Sequence, residues 1–465
     1  MIRFCLRNHN QIYDVQTMIQ VFYPNETYKQ ADGVPPDGLY VESTLETDGA
    51  RAGLWRDGIF IREATTKLGN YAARRVVKYA VYALLAAETG MTPPWGMTTG
   101  VRPAKLAREK LDAGLADAAV LECMTTEYCM SAGKARLALD VAHAERAILR
   151  TNDGSDCALY IGIPFCPTRC AYCSFAAVAL DRRTDVDGYL SALERELARY
   201  AADIQSGTRR LESIYIGGGT PTALDEARLE RLLLYIHKHF SFVDLKEFTV
   251  EAGRPDTITA GKLGLMKAHG VTRISVNPQT LRDETLAAIG RRHTAAQFFE
   301  AYEMAVQMGF NNINIDLIAG LPGETADDMA RTLAGIAKLA PNAVTVHTLA
   351  VKRASKLKEQ LNESEMTDAA VVEDMLRLTR AACAEINLRP YYMYRQKNML
   401  GNFENVGYAR AGFEGIYNVQ MMEEWQDVFA AGAGAVGKRV NLAENRVERV
   451  PNCKDYRDYI KRMQL

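Results

Sequence analysis

The chain has 465 residues, 48% of them hydrophobic, with 56 lysines and arginines against 57 aspartates and glutamates. That composition supplies core for two or three domains, and its balanced charge excludes the basic excess that bulk attraction to nucleic acid leaves. Nine cysteines and no apolar stretch of signal-peptide length near the N-terminus point to metal ligands or buried thiols in a reducing, cytoplasmic setting.

In chain order, residues 1–150 read as an α+β domain. It has strands predicted at 2–6 and 59–62 and helical runs at 71–87, 104–113 and 116–150. The most apolar of these stretches, 76–87, contains Lys78 and is too short to span a bilayer. A linker with turn chemistry, 151–156, leads into residues 151–355. There, β-rich runs at 158–163, 213–216, 248–251, 273–276, 312–318 and 343–348 alternate with amphipathic stretches at 186–200, 229–239, 295–308 and 326–339. Strands alternating with helices imply parallel strands with right-handed crossovers, and six such units predict an α/β fold, a partial (β/α)6 TIM-like barrel. Residues 356–465 are a mixed C-terminal segment expected to cover the substrate, with a helical run at 367–386 and then an aromatic, glycine-rich stretch.

The first barrel strand runs directly into Cys166, Cys170 and Cys173. Three thiolates spaced x3 and x2 in one loop can occupy three corners of an iron–sulfur cube. Electron-transfer clusters use four protein thiolates, so a cluster held by three keeps one iron open. A structural zinc needs a fourth ligand nearby. The nearest candidate, Cys157, lies at the far end of the strand, roughly 20 Å away. Cys123 and Cys129 are six apart on a predicted helix and do not share a face. Cys5, Cys383 and Cys453 are isolated.

Barrel enzymes carry their chemistry at the carboxyl ends of the strands. Strand two ends in Gly217-Gly218-Gly219-Thr220-Pro221-Thr222, which lacks the lysine of a P-loop but lets backbone groups approach a zwitterion closely. Strand three ends at Glu251, strand four precedes Asn277-Pro278-Gln279, strand five carries Asp316 and strand six ends at His347. One such residue is more often a structural hydrogen-bonder than a ligand contact; five at successive strand ends favour a site. Gly432-Ala433-Gly434-Ala435-Val436-Gly437 matches the dinucleotide fingerprint, but only 28 residues follow it. That is too few for a βαβ unit, so a tight loop is expected.

The cysteine loop, the glycine segment and the spacing from Glu251 through Gln279 and Arg291 to Asp316 resemble radical S-adenosylmethionine enzymes. Within these, the chain is similar to the oxygen-independent coproporphyrinogen III oxidase (dehydrogenase) group. Its Firmicutes-type branch shares an extra N-terminal region and segments like Thr99-Gly100-Val101-Arg102-Pro103 and Tyr394-Arg395-Gln396-Lys397-Asn398-Met399. The resemblance implies a [4Fe–4S] cluster on Cys166, Cys170 and Cys173. It implies S-adenosyl-L-methionine contacts at Tyr160, Tyr172, Gly218, Gly219, Thr220, Glu251, Gln279, Arg291, Asp316 and Ala350. The implied reaction is oxidative decarboxylation of two propionates of coproporphyrinogen III through a 5′-deoxyadenosyl radical, giving protoporphyrinogen IX. The implied partners are that porphyrinogen and a low-potential donor of ferredoxin or flavodoxin type, with the protein a cytoplasmic monomer free of nucleic acid and stable membrane insertion.

Four carboxylates on the substrate call for cations, for which Arg292, Lys352, Arg353, Arg395, Lys397 and the more distant Arg102 are candidates. Tyr391, Tyr392 and Tyr394 either pack on pyrrole rings or form a strand with alternating aromatic faces. Where the group's dehydrogenases carry His before Ile-Pro-Phe-Cys this chain has Gly162, and where they carry a fourth cysteine it has Phe175. The C-x-F ending is shared with related haem chaperones, the alternative reading, although their later His-Asn pair has no counterpart in Gly415-Ile416-Tyr417-Asn418.

Overall fold

The computed structural model describes residues 1–464 apart from 25, 35–36, 70, 153, 176, 208, 351–366 and 397–399. The chain divides into two compact units, Met1–Leu139 and Asp140–Leu465. The first contains β1 (Ile2–Arg7), α1 (Ile12–Phe22), β2 (Tyr28–Gln30), β3 (Leu39–Leu45), β4 (Gly49–Arg56), β5 (Ile59–Lys67) and α2 (Ala73–Thr89). Its sheet runs β2-β1-β3-β4-β5, with β1 parallel to both neighbours and β3–β4–β5 an antiparallel meander. Val15, Met18 and Ile19 of α1 and Val77, Val81 and Leu84 of α2 share one core with Phe4, Val41 and Leu54 of the strands.

Two further helices follow, α3 (Pro103–Asp112) and α4 (Asp117–Glu122). The single helical run predicted over 116–150 is broken. After α4 comes a π turn at Cys123–Glu127, and α5 (Ala132–Leu149) starts only beyond a reversal in which Cys129 takes φ +56°. Backbone groups explain the break. The Tyr128 carbonyl accepts from Met97 N at 3.0 Å and Ser131 N donates to the Pro94 carbonyl at 2.9 Å, bonds a continuous helix would forbid. Cys123 and Cys129 are therefore separated by this break and do not lie on opposite faces of one helix.

The second unit opens with β6 (Asp156–Ile163), the short pair β7 (Phe165–Cys166) and β8 (Val178–Ala179), then α6 (Val186–Ser206) and β9 (Arg210–Gly218). It continues with α7 (Glu226–His239), β10 (Glu247–Glu251), α8 (Ala260–Ala268), β11 (Arg273–Ser275), α9 (Asp283–Ala288) and α10 (Ala295–Gln307). β12 (Ile313–Ala319), α11 (Ala326–Ala337) and β13 (Ala343–Thr348) complete the alternation. The six strands β6, β9, β10, β11, β12 and β13 lie side by side in that order, all parallel. β6 is buried along nearly its whole length, as parallel strands covered on both faces are. The helices begin where side chains satisfy their free amides: Asp185, Asp225 and Thr259 cap α6, α7 and α8, and capping boxes at Thr294 and Thr325 start α10 and α11. Each cap stabilises its helix by about 1 kcal/mol.

The same sheet is extended by the last part of the chain, α12 (Ala369–Glu385), β14 (Arg389–Tyr394), β15 (Asn405–Ala409), α13 (Ile416–Glu423), β16 (Asp427–Ala431), β17 (Val436–Asn441), β18 (Arg446–Pro451) and α14 (Tyr456–Arg462). β15 joins β13 antiparallel, while β16 joins β6 in parallel register, Val428 beside Ala158. The outermost strands are β14 and β18, so the barrel is partial, as the sequence predicts. The glycine-rich segment after β16 is a tight turn: Gly432 has φ +103°, and a Cβ there would stand 2.5 Å from the Gly162 carbonyl oxygen. Glu196 on α6 ties the terminal segment down, accepting from Gly432 N at 2.9 Å, Asn452 Nδ2 at 2.8 and 3.0 Å and Tyr459 OH at 2.6 Å. No helix among the described residues is long and apolar enough to cross a membrane.

Candidate active site

Cys166 ends β7, and the other two thiols follow in the loop before β8. Each sulfur faces a donor from a different place. Thr220 Oγ1 donates to Cys166 Sγ at 3.4 Å, Arg254 Nη1 to Cys170 Sγ at 3.6 Å and the Phe175 backbone N–H to Cys173. Burial pushes the Cys166 thiol up to about 11, against the Thr220 bond, and raises Cys173 too. The three thiols feel one another's charge, yet among the described residues no three His, Cys, Asp or Glu side chains converge on one ion-sized point. Three neighbouring thiols, each with a hydrogen-bond donor on its sulfur, suit thiolate ligands. The donor set therefore fits an iron–sulfur cluster.

The glycine loop lies against this cysteine loop. A Cβ on Gly219 would stand 2.6 Å from the Phe165 carbonyl oxygen, so only glycine admits the approach. Gly219 N donates to Ile163 O at 2.8 Å and Thr220 N to Phe165 O at 2.7 Å. These two amides thus hold the loops together and are not left free for a zwitterion. Gly218 N donates at 3.3 Å to Glu251 Oε2, whose other oxygen accepts from Tyr215 OH at 2.6 Å. Burial, reinforced by Asp316, lifts the Glu251 carboxyl to about 7 despite these donors. Tyr160 stacks on Tyr215 and Tyr417 with centroids 6.1 and 6.3 Å apart, forming an aromatic wall beside it.

Across the sheet, both Asp316 oxygens accept asparagine amides at 2.7 Å, Oδ1 from Asn314 and Oδ2 from Asn277. His347 Nε2 lies 3.7 Å from Asp316 Oδ1, and its Nδ1 is 3.4 Å from Tyr394 OH. Gln279 is held at φ +71°, and its buried Oε1 has no hydrogen-bond partner. A non-glycine residue in the left-handed region beside an unsatisfied acceptor marks a place where the fold gives up stability for a contact. Arg291 is buried, donating to Tyr172 OH at 3.0 Å and to Gly253 O at 3.0 Å. Ala350 is half-buried just after β13.

The candidate substrate cations fare differently. Lys352, Arg353 and Lys397 lie outside the described residues, Arg292 is exposed and Arg102 belongs to the first unit. Arg395 is buried and donates to Asn402 O at 2.9 Å, with burial lowering it to about 10, so it anchors its own turn and is not open to a propionate. Tyr391 and Tyr392 do not alternate: the ladder to β15 shifts register between Pro390 and Tyr392, and both rings are buried. Tyr394 alone of the three is half-buried. Arg254, Tyr215 and Tyr417 belong to the site although no local pattern marks them.

A model of the radical SAM superfamily matches residues 160–334, from within β6 to within α11. The chain is 38% identical over 413 residues to the oxygen-independent coproporphyrinogen-III oxidase-like protein HemZ of Bacillus subtilis, covering 87% of this chain and 82% of that one. It is 32% identical over 302 residues to the heme chaperone HemW of the same organism, covering 65% of this chain and 75% of the relative. The chain belongs to the oxygen-independent coproporphyrinogen III oxidase and HemW group of radical SAM proteins. Among solved structures, coproporphyrinogen III oxidase (HemN) from Escherichia coli shares the fold, with a TM-score of 0.55 at 23% identity over 70% of this chain and 72% of that one.

Proposed function

We propose that the protein carries out the oxygen-independent oxidative decarboxylation of two propionates of coproporphyrinogen III, giving protoporphyrinogen IX. The observation that carries the reading is the cysteine loop with a donor on each of its three sulfurs. Cys166, Cys170 and Cys173 would hold a [4Fe–4S] cluster, which when bound supplies the electron that cleaves S-adenosyl-L-methionine to a 5′-deoxyadenosyl radical. In this reading Glu251 and Asp316 would offer hydrogen-bond acceptors to the ammonium and ribose hydroxyls of S-adenosyl-L-methionine, and the stacked Tyr160, Tyr215 and Tyr417 would exclude water. A low-potential donor of ferredoxin or flavodoxin type would reduce the cluster, and the electron released with each carbon dioxide would pass to a separate one-electron acceptor.

The test is anaerobic: reconstituted protein, S-adenosyl-L-methionine, a low-potential reductant and coproporphyrinogen III, with products followed by mass. Two successive losses of about 46 mass units, one carbon dioxide and two hydrogens each, are expected. 5′-Deoxyadenosine without change in the porphyrinogen would remove this substrate. The similarity to HemW and the Phe175 that follows the triad support a second reading, haem trafficking. Tight haem binding with no turnover of either compound would establish it instead.

A further inference from the structure

The segment Gly253-Arg254-Pro255-Asp256 follows β10 and reaches the cysteine loop. Arg254 is only 3% exposed, and all three of its guanidinium nitrogens are engaged. Nε and Nη2 form a two-point pair with Asp256, at 2.9 Å to Oδ1 and 2.9 Å to Oδ2. Nη1 turns the other way, to Thr168 Oγ1 at 3.1 Å, Thr168 O at 3.4 Å and Cys170 Sγ at 3.6 Å. Local chemistry sets this aim. The residue before a proline is kept extended, as Arg254 is at φ −127°, and the turn Pro255–Thr257 returns Asp256 to its guanidinium. The Arg254 carbonyl is pinned by Thr257 N at 2.9 Å and Thr257 Oγ1 at 2.8 Å.

Burying a guanidinium costs several kcal/mol unless its edges meet anionic acceptors. Asp256 satisfies one edge. The other meets a carbonyl, a hydroxyl and a sulfur, and becomes charge-assisted when that sulfur is a thiolate. Resting on the reading that Cys166, Cys170 and Cys173 hold a cluster, we propose that Arg254 is a positioning residue that sets the cluster's reduction potential. Its charge, fixed by Asp256, lies against one ligand sulfur and favours the state that has gained an electron. Hydrogen bonds and charge at cluster sulfurs are the means by which proteins tune such potentials.

The experiment is a redox titration, followed by electron paramagnetic resonance, of the reconstituted full chain and of Arg254→Gln, Arg254→Lys and Asp256→Asn, with iron content measured on each. Arg254→Gln is expected to lower the potential by at least a tenfold change in the one-electron equilibrium, about 59 mV. Arg254→Lys, which keeps the charge, is expected to recover part of that shift. Asp256→Asn, which removes the counter-charge, is expected to move the potential the opposite way. Should Arg254→Gln not load iron, the sign of the Asp256→Asn shift decides. Loaded variants with the wild-type potential, or with shifts of one sign, would show that Arg254 only staples two loops and would overturn the proposal. Failure of the wild-type chain to load any cluster would strike the functional reading itself, a result separable from the former.

Discussion

The Tyr215 hydroxyl donates to Glu251 Oε1 at 2.6 Å, linking the carboxyl ends of two neighbouring strands. The same carboxylate accepts the Gly218 amide, so strand two and strand three are joined at the point where the glycine loop begins.

This pair predicts a pH-dependent stability. Burial lifts Glu251 to about 7, so between about pH 4.3 and that value the folded chain holds a proton the unfolded chain has lost. The contribution is therefore complete below that window and is lost as the pH rises through it. Thermal unfolding of Glu251→Gln, compared with wild type from pH 4 to 9, should show the variant gaining relative stability up to about pH 7 and then levelling. Tyr215→Phe removes a donor to the ionised form and should move the levelling point upward, at a loss of about 1.5–3 kcal/mol at alkaline pH.

Iron content tests the cysteine assignment directly. Alanine at Cys166, Cys170 or Cys173 should abolish cluster loading after anaerobic reconstitution, whereas Cys383→Ser, buried elsewhere, should load like the wild type.

Asn277 both donates to Asp316 Oδ2 at 2.7 Å and accepts from the Asp316 amide at 3.1 Å, a two-way clasp across adjacent strand ends. Asn277→Ala should weaken binding of S-adenosyl-L-methionine by roughly 5–30-fold, the value of about 1–2 kcal/mol at one charged acceptor. Isothermal titration of the loaded protein reads this, with iron content unchanged as the control.

How far the sequence alone discloses this arrangement depends on how local each signal is. The six barrel strands are legible because strands buried on both faces read as near-continuous apolar runs, and the thiol loop because its three cysteines fall within eight residues. The break before α5 escapes notice because it is dictated by backbone bonds to the distant Pro94–Met97 turn. Arg254 touches a thiol 84 positions earlier, and no spacing rule spans that interval. Arg395 misleads for the reverse reason: a cation in a tyrosine-rich stretch looks like a carboxylate clamp until its own burial and its bond to Asn402 are seen.

The terminal helix offers a further test. Tyr459 OH is one of five donor contacts on buried Glu196, while Tyr456 sets its ring 5.6 Å from that of Phe165, the residue before Cys166. Tyr459→Phe should cost about 1.5–3 kcal/mol. Tyr456→Ala should speed iron loss on challenge with a chelator, without changing which residues bind it.

The parallel pairing of β16 with β6 has a consequence for how the molecule is made. The strand leading into the thiol loop lacks one of its two neighbours until residues 427–431 have left the ribosome, roughly 13–55 s after it emerges at ordinary rates of synthesis. For that interval it is a bare sheet edge, with three thiols beside it and hydrogen-bonding groups open to any passing strand. Biogenesis thus places a premium on guarding a half-built sheet, and metal delivery has its widest access before the chain's last forty residues arrive.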